Sequence, residues 1–328
     1  MVSCGACGSN CFIPGNLPPF DTVPCSKCGH PTMLPVVFRQ FELRKVIASG
    51  GMGTVFSAFD VNLQREVALK MLKREMAQDK EVLESFYREA RAGASLNHTN
   101  IIHIYTFDEF DGQPYLVMEV ANNGSLDTRI TAEGRVPELD VLDTGIKVAS
   151  ALASALKHNL LHRDIKPGNI LFNSDVPPEP KLIDFGLARE AESDEDVSGQ
   201  ATVWGTPYYV APEKINRKRE DFLSDMYSLG GTLYHALTGH VPFEADSVED
   251  LVSAHVHTPL TPPNQVVLEI TRSTSDALVK AMAKNPADRF PSYDAFIMDL
   301  TKARSEYVFN HLNQPSSSGG SKSWWRKK

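Results

Sequence analysis

Three short segments of this 328-residue chain carry side chains able to handle phosphate together with a divalent cation. They are His162-Arg163-Asp164-Ile165-Lys166-Pro167-Gly168-Asn169, then Asp184-Phe185-Gly186, and upstream the run Ile47-Ala48-Ser49-Gly50-Gly51-Met52-Gly53-Thr54-Val55. Moving a phosphoryl group requires hard oxygen ligands for the cation and a carboxylate that orients the attacking hydroxyl. Asp164 fits the orienting role, while Asn169 and Asp184 offer the oxygens. Any one of them alone would be a turn or cap residue; their order and spacing make the set informative. Gly50, Gly51 and Gly53 would let the backbone approach a ligand closely, although an ordinary glycine-rich hairpin uses the same residues. In Val67-Ala68-Leu69-Lys70, strand alternation turns Ala68 and Lys70 to one face. The ammonium there could neutralise phosphate oxygens, or be a solvated charge at a sheet edge. Glu89, in a helical pattern, could pair with Lys70, although a helix glutamate is most often a surface residue.

The elements that must position these residues can be read from periodicity. From residue 38 to about 120 the chain shows short β-type runs such as Tyr115-Leu116-Val117-Met118, interrupted by one helical pattern over about residues 80–96. From about 126 to 312 helical patterns dominate, as at residues 141–158, 223–237 and 275–283. A strand-rich part followed by a helix-rich part predicts an α+β, two-lobed fold, and a cleft between lobes is a common place for a ligand. Residues 1–35 form a Cys-, Gly- and Pro-rich module, residues 36–312 the main domain (divided near 120/121), and residues 313–328 a tail with a flexible Ser/Gly stretch.

At this point the chain resembles the bacterial eukaryotic-like serine/threonine protein kinases, over about residues 41–312. The resemblance implies a β-rich lobe with one main helix, a helical lobe, and transfer of the γ-phosphate of ATP to Ser or Thr hydroxyls of proteins. It makes Asp164 the catalytic base, with Lys166 on the transferring phosphate and Lys70 on the α- and β-phosphates, paired to Glu89. Asn169 and Asp184 become the ligands of Mg²⁺ or Mn²⁺. Ala48, Ser49, Gly50, Gly51, Met52, Gly53 and Val55 would cover the nucleotide with Ala68, and Glu119 and Ala121 resemble the segment that binds the adenine edge. The first glycine of the family's loop is Ala48 here, a substitution costing on the order of 1 kcal/mol if φ is positive and almost nothing otherwise. Glu213 of Ala211-Pro212-Glu213 is expected to pair with Arg289, and Asp225 to brace the catalytic loop. Lys166 and Gly205-Thr206-Pro207 resemble the serine/threonine pattern. Arg163 before Asp164 implies ordering by phosphorylation, with Thr202 and Ser198 as acceptors, through a transient homodimer if the reaction runs between copies. The acidic residues upstream of Ser198 could instead satisfy Arg163.

All five cysteines lie within the first 28 residues. Cys4-Gly5-Ala6-Cys7-Gly8 and Cys25-Ser26-Lys27-Cys28-Gly29 are two C-x-x-C-G knuckles, which predict a tetrahedral zinc site on Cys4, Cys7, Cys25 and Cys28 resembling a zinc ribbon. Cys11 is then the odd thiol, His30 an alternative ligand, and a pair of redox dithiols the competing reading. The module carries one cation, Lys27, and one anion, Asp21. With a net charge of −8 for the chain, this argues against nucleic acid and for a protein docking partner.

No run is long and apolar enough to span a bilayer, and the N-terminus lacks a signal peptide's charged start and apolar run, so a cytoplasmic location is expected. Trp324, Trp325 and the nearby Lys and Arg residues suit a membrane interface, a juxtamembrane stub or a solvated tail. Competing functions are an ATP-binding scaffold without transfer activity, a small-molecule kinase, and a nucleic-acid sensor. They are countered respectively by the complete catalytic set, by Ala211-Pro212-Glu213, and by the neutral cysteine module.

Overall fold

In the computed structural model, all residues are described except 16, 18, 19, 52, 186–188, 191–206 and 313–328. Met52, Gly186, Ser198, Thr202, Gly205, Thr206 and the basic-aromatic tail therefore lie outside the described residues. The chain divides into two units, Met1–Asn97 with Ile102–Val120, and His98–Ile101 with Ala121–Lys328.

The first unit opens with two small hairpins, β1 (Val2–Ser3) with β2 (Asn10–Cys11), and β3 (Val23–Pro24) with β4 (Pro31–Thr32). An antiparallel sheet follows, made from β5 (Val36–Phe38), β6 (Phe41–Ser49), β7 (Gly53–Asp60), β8 (Arg65–Leu72), β9 (Ile104–Phe110) and β10 (Gln113–Met118), in the order β5-β6-β7-β8-β10-β9. Alternation drives it. Phe41 and Leu43 on β6 are buried and Arg44 is exposed, and after the register shift between Leu43 and Lys45 burial resumes at Val46, so the core gathers Phe41, Leu43, Val46, Phe56, Val67, Leu69 and Val117. Against Leu72 and Leu116 packs α1 (Lys80–Ser95), through Phe86 and Ala90. Asp79 fixes its start by accepting from the amides of Glu81 and Val82. The cysteine segment shares the sheet's core, since Met33 is buried with Phe38, Phe41 and Leu43, and Phe20 stacks edge-on against Phe38.

The second unit is helical. Its helices are α2 (Leu126–Glu133), α3 (Glu138–Lys157), α4 (Pro212–Ile215), α5 (Phe222–Thr238), α6 (Val248–His257), α7 (Pro263–Val266), α8 (Arg272–Ala281) and α9 (Tyr293–Leu312). Four short strands accompany them: β11 (Leu160–Leu161) pairs with β14 (Arg189–Glu190), and β12 (Ile170–Phe172) with β13 (Pro180–Leu182). Apolar stripes such as Val148, Ala149 and Leu152 on α3, and Met226, Leu229 and Leu233 on α5, supply the core. His98–Ile101 joins this unit because Asn100 Nδ2 donates to the Pro180 carbonyl at 2.9 Å and the Leu182 amide donates to the Asn100 carbonyl at 2.8 Å. Among the described residues no helix is long and apolar enough to cross a membrane.

Candidate active site

The loop from β11 to β12 holds most of the chemistry. Asp164 Oδ2 receives the Lys166 ammonium at 2.7 Å and the Asn169 Nδ2 amide at 2.9 Å. Asn169 Nδ2 also donates to the Asp164 carbonyl at 2.8 Å, so both bonds engage its donor end and leave Oδ1 as its acceptor, the atom a hard cation would use. The β12–β13 hairpin sets Ile170 opposite Leu182, and the Ile183 amide donates to the Asn169 carbonyl at 3.0 Å. Asp184 is therefore held one residue beyond that link.

A buried framework fixes this loop. Asp225 on α5 accepts the amides of His162 and Arg163, each at 2.7 Å. Burial pushes the Asp225 carboxyl above its ordinary range, against the pull of the two amides. His162 is fully buried; its Nε2 donates to the Ile183 carbonyl at 2.9 Å, so Nδ1 is the acceptor facing the Asp164 amide at 3.3 Å. One imidazole thus ties the loop bearing Asp164 to the strand end bearing Asp184. Arg163 (φ 68°) and Asp184 (φ 69°) both occupy the left-handed region, a cost on the order of 1–3 kcal/mol each that this framework offsets.

In the first unit, Lys70 lies opposite Val55 on β7 and Leu116 on β10. Its ammonium meets both Glu89 oxygens, at 2.7 and 2.6 Å. The expected pair therefore forms, and Ala68 is buried two residues before it. In the glycine run, Ala48 pairs with Val55 and Ser49 with Thr54, and the Gly50 amide donates to the Gly53 carbonyl at 3.0 Å. None of Ala48, Gly50, Gly51 and Gly53 has positive φ, so Ala48 carries no backbone strain. Gly53 is required by the protein itself, because a Cβ there would come within 2.6 Å of the Met71 carbonyl oxygen. A Cβ on Gly50 or Gly51 would meet open space. Glu119 lies one residue before the end of the first unit, exchanging bonds with the His103 backbone at 2.9 and 3.2 Å, and Ala121 begins the longer part of the second.

Residues 41–299 match the protein kinase domain family. The chain belongs to the protein kinase family. Among relatives it resembles the serine/threonine-protein kinase PknB of Mycobacterium leprae (strain TN), 33% identical over 278 residues, covering 84% of this chain and 44% of that protein. It also resembles PrkC of Bacillus subtilis (strain 168), 34% identical over 264 residues, with 80% and 40% covered. PknL of Mycobacterium tuberculosis (strain CDC 1551 / Oshkosh) is 34% identical over 277 residues, with 84% and 69% covered. The chain spans only about two fifths of the length of the first-ranked curated relatives. The family implies ATP and Mg²⁺ as cofactor set and proteins as substrates.

Two contacts support the kinase loop from α4, the first expected from the resemblance and the second not foreseen in the sequence. Glu213 is buried and meets Arg289 in a bidentate pair, Nη1 to Oε1 at 2.6 Å and Nη2 to Oε2 at 2.8 Å, with the Ser224 hydroxyl at 2.7 Å. Burial alone would raise the Glu213 carboxyl, but the Arg289 guanidinium and Ser224 hold it below its ordinary range. The next residue, Lys214, donates to the Arg163 carbonyl at 3.2 Å. This contact carries no sequence signal, since a lysine in a short helix reads as a solvated charge.

The four knuckle cysteines converge as expected. Their sulfurs all lie within 4.8 Å of one another, with Cys4–Cys28 and Cys7–Cys25 each at 3.7 Å. A zinc–sulfur bond of about 2.3 Å implies a tetrahedron edge of about 3.8 Å, so the set fits that ion. Gly8 and Gly29 take the left-handed conformation that closes each knuckle, donating to the Cys4 and Cys25 carbonyls at 3.0 and 2.8 Å. The amides of Lys27 and Cys28 face the Cys25 sulfur and lower its pKa to about 6, which favours the thiolate a metal needs. Cys11 is buried beside the four, and the His30 ring is turned to the Val46 carbonyl instead, Nε2 donating at 3.0 Å.

Proposed function

We propose that the chain is an ATP-dependent serine/threonine protein kinase whose N-terminal cysteine cluster holds a structural zinc ion. The observation that carries the first part is the convergence of Lys166 and Asn169 on the Oδ2 of Asp164. Asp164, aimed by these two donors, accepts the proton of the attacking hydroxyl as it approaches the γ-phosphate. Lys166, beside it, neutralises charge on the transferring group. Lys70, oriented by Glu89, neutralises phosphate oxygens of the nucleotide. Asn169 and Asp184 would hold Mg²⁺, which when bound screens the phosphate charge. Thr202 and Ser198 are proposed as sites of autophosphorylation. Serine/threonine acceptors are favoured by Lys166 two residues after Asp164 and by the names of the relatives.

The test is incubation of the chain with Mg²⁺ and γ-labelled ATP, alone and with a basic protein acceptor, followed by phosphoamino-acid analysis and site mapping. Label on serine and threonine, abolished by Asp184→Ala, is the expected result; folded, ATP-binding protein that yields no label would overturn the reading. For the cysteine cluster, elemental analysis should find about one zinc per chain, dropping well below that in Cys25→Ser, as expected for a closed four-thiolate site. Zinc content unaltered by Cys25→Ser would exclude the four-thiolate assignment.

A further inference from the structure

Both cysteine knuckles lean on one backbone residue, Val46. In the first, Gly5 sits between Cys4 and Cys7 so close to β6 that a Cβ on it would be 3.2 Å from the Val46 carbonyl oxygen and 3.3 Å from the Lys45 side chain. In the second, His30 follows Cys28 by two residues, and its ring donates to the same Val46 carbonyl at 3.0 Å. A carbonyl oxygen can only accept, so Nε2 carries the proton. His30 is itself stitched into the knuckle: its carbonyl accepts the Cys25 amide at 2.8 Å, and its own amide faces the Cys28 sulfur. Val46 is also buried, in the same apolar cluster that takes in Met33 of the cysteine segment.

Val46 stands at the point where β6 prepares the glycine turn. The β6–β7 register is irregular between Val46 and Ala48, after which Ala48 pairs with Val55, Ser49 with Thr54, and Gly50 closes on Gly53. At such an irregularity the ladder constrains the strand least, so contacts from outside the ladder decide where the following turn sits. The knuckles supply those contacts, and four thiolates on one ion make the knuckles rigid.

We propose that the metal-bound cysteine cluster positions the glycine-rich turn for nucleotide binding, with His30 and Gly5 as positioning residues acting through Val46. This rests on the reading of the turn as nucleotide-binding and of the cluster as a zinc site. A metal that favours one placement of the turn tightens nucleotide, and nucleotide tightens metal by the same factor. Coupling of this kind is typically worth about 5-fold or more in affinity.

The experiment titrates Mg²⁺-ADP calorimetrically into the full chain, with zinc content measured on the same samples. The arms are the zinc-loaded protein, chelator-treated protein, His30→Ala, and His30→Gln, which keeps a side-chain N–H donor. Expected are full zinc occupancy in His30→Ala with ADP binding weakened about 5-fold or more, recovery in His30→Gln, and a raised KM for ATP at unchanged kcat. That split marks lost ground-state binding, whereas simple destabilisation lowers the active fraction without moving KM. Should chelation unfold the protein, the two His30 variants carry the test with zinc present. Equal ADP affinity in wild type, His30→Ala and His30→Gln, all zinc-loaded, overturns the coupling while leaving the kinase and zinc readings intact. Absence of zinc from the native chain, or of ADP binding in every arm, overturns it through the reading it rests on, and the two failures are separately visible.

Discussion

Replacing Asp164 with Asn should lower kcat for phosphate transfer by about 10²–10⁴-fold, the usual range for removing a positioned general base. The substitution preserves shape and changes only what the side chain can accept. In the native loop the carboxylate takes charge from Lys166 at 2.7 Å and a hydrogen bond from the Asn169 amide at 2.9 Å. A carboxamide can still accept one of these bonds through its oxygen, but it cannot take a proton from an attacking hydroxyl. Stability should change little, because the loop backbone is held by Asp225 through the His162 and Arg163 amides and by the His162–Ile183 bond, none of which involves the Asp164 side chain. Single-turnover kinetics with calorimetric ATP binding separate the effects: kcat and kcat/KM should fall together while ATP affinity stays near wild type. Activity within tenfold of wild type, in protein that melts normally, would remove Asp164 from the reacting centre.

How much of this was legible in the sequence depends on what each residue does. Lys70 and Glu89 could be paired on paper because strand alternation and a single helical pattern limit where each can point. The glycine run was legible only in part: sequence suggests one role for all three glycines, whereas Gly53 is fixed by the Met71 carbonyl and Gly50 and Gly51 face open space. Asp225, Glu213 and Arg289 were readable solely through family resemblance, since nothing in periodicity separates a buried charge from a surface one. The assignment of His98–Ile101 to the second unit rests on hydrogen bonds from Asn100 to residues about eighty positions away, which no local pattern encodes. The knuckle spacing gave the four thiols, but residues 1–35 have almost no apolar periodicity. Nothing there announced that Met33 would join the sheet core or that His30 would reach Val46.

The second large effect is expected at Arg289. Arg289→Ala should destabilise the protein by about 3–5 kcal/mol, because it leaves the buried Glu213 carboxylate without its counter-ion. At the size of the second unit, each kcal/mol is worth roughly 2–4 °C in Tm, so a fall of about 6–20 °C is anticipated. The guanidinium has further duties, donating to the Leu223 carbonyl at 2.8 Å and, through Nε, to the Ala283 carbonyl at 2.8 Å, and it lies over the Tyr227 ring. Arg289→Lys should therefore recover only part of the loss, since an ammonium keeps the charge but not the planar fork. Removing both charges in Glu213→Gln/Arg289→Met should be milder than Arg289→Ala alone, because no unpaired charge remains buried. The pair also predicts a pH dependence. Glu213 is held below the ordinary glutamate pKa, so its contribution is complete above that value, about 4.3 unfolded, and is lost as pH falls through the folded pKa. The stability gap between wild type and the double variant should thus be flat near neutrality and close on acidification, as read by urea unfolding at a series of pH values. Activity should suffer as well: Lys214 follows Glu213 and holds the Arg163 carbonyl, so loosening α4 slackens the loop that aims Asp164. A melting point unchanged in Arg289→Ala would mean that Glu213 finds water or another partner once the guanidinium is gone, and that this brace is dispensable.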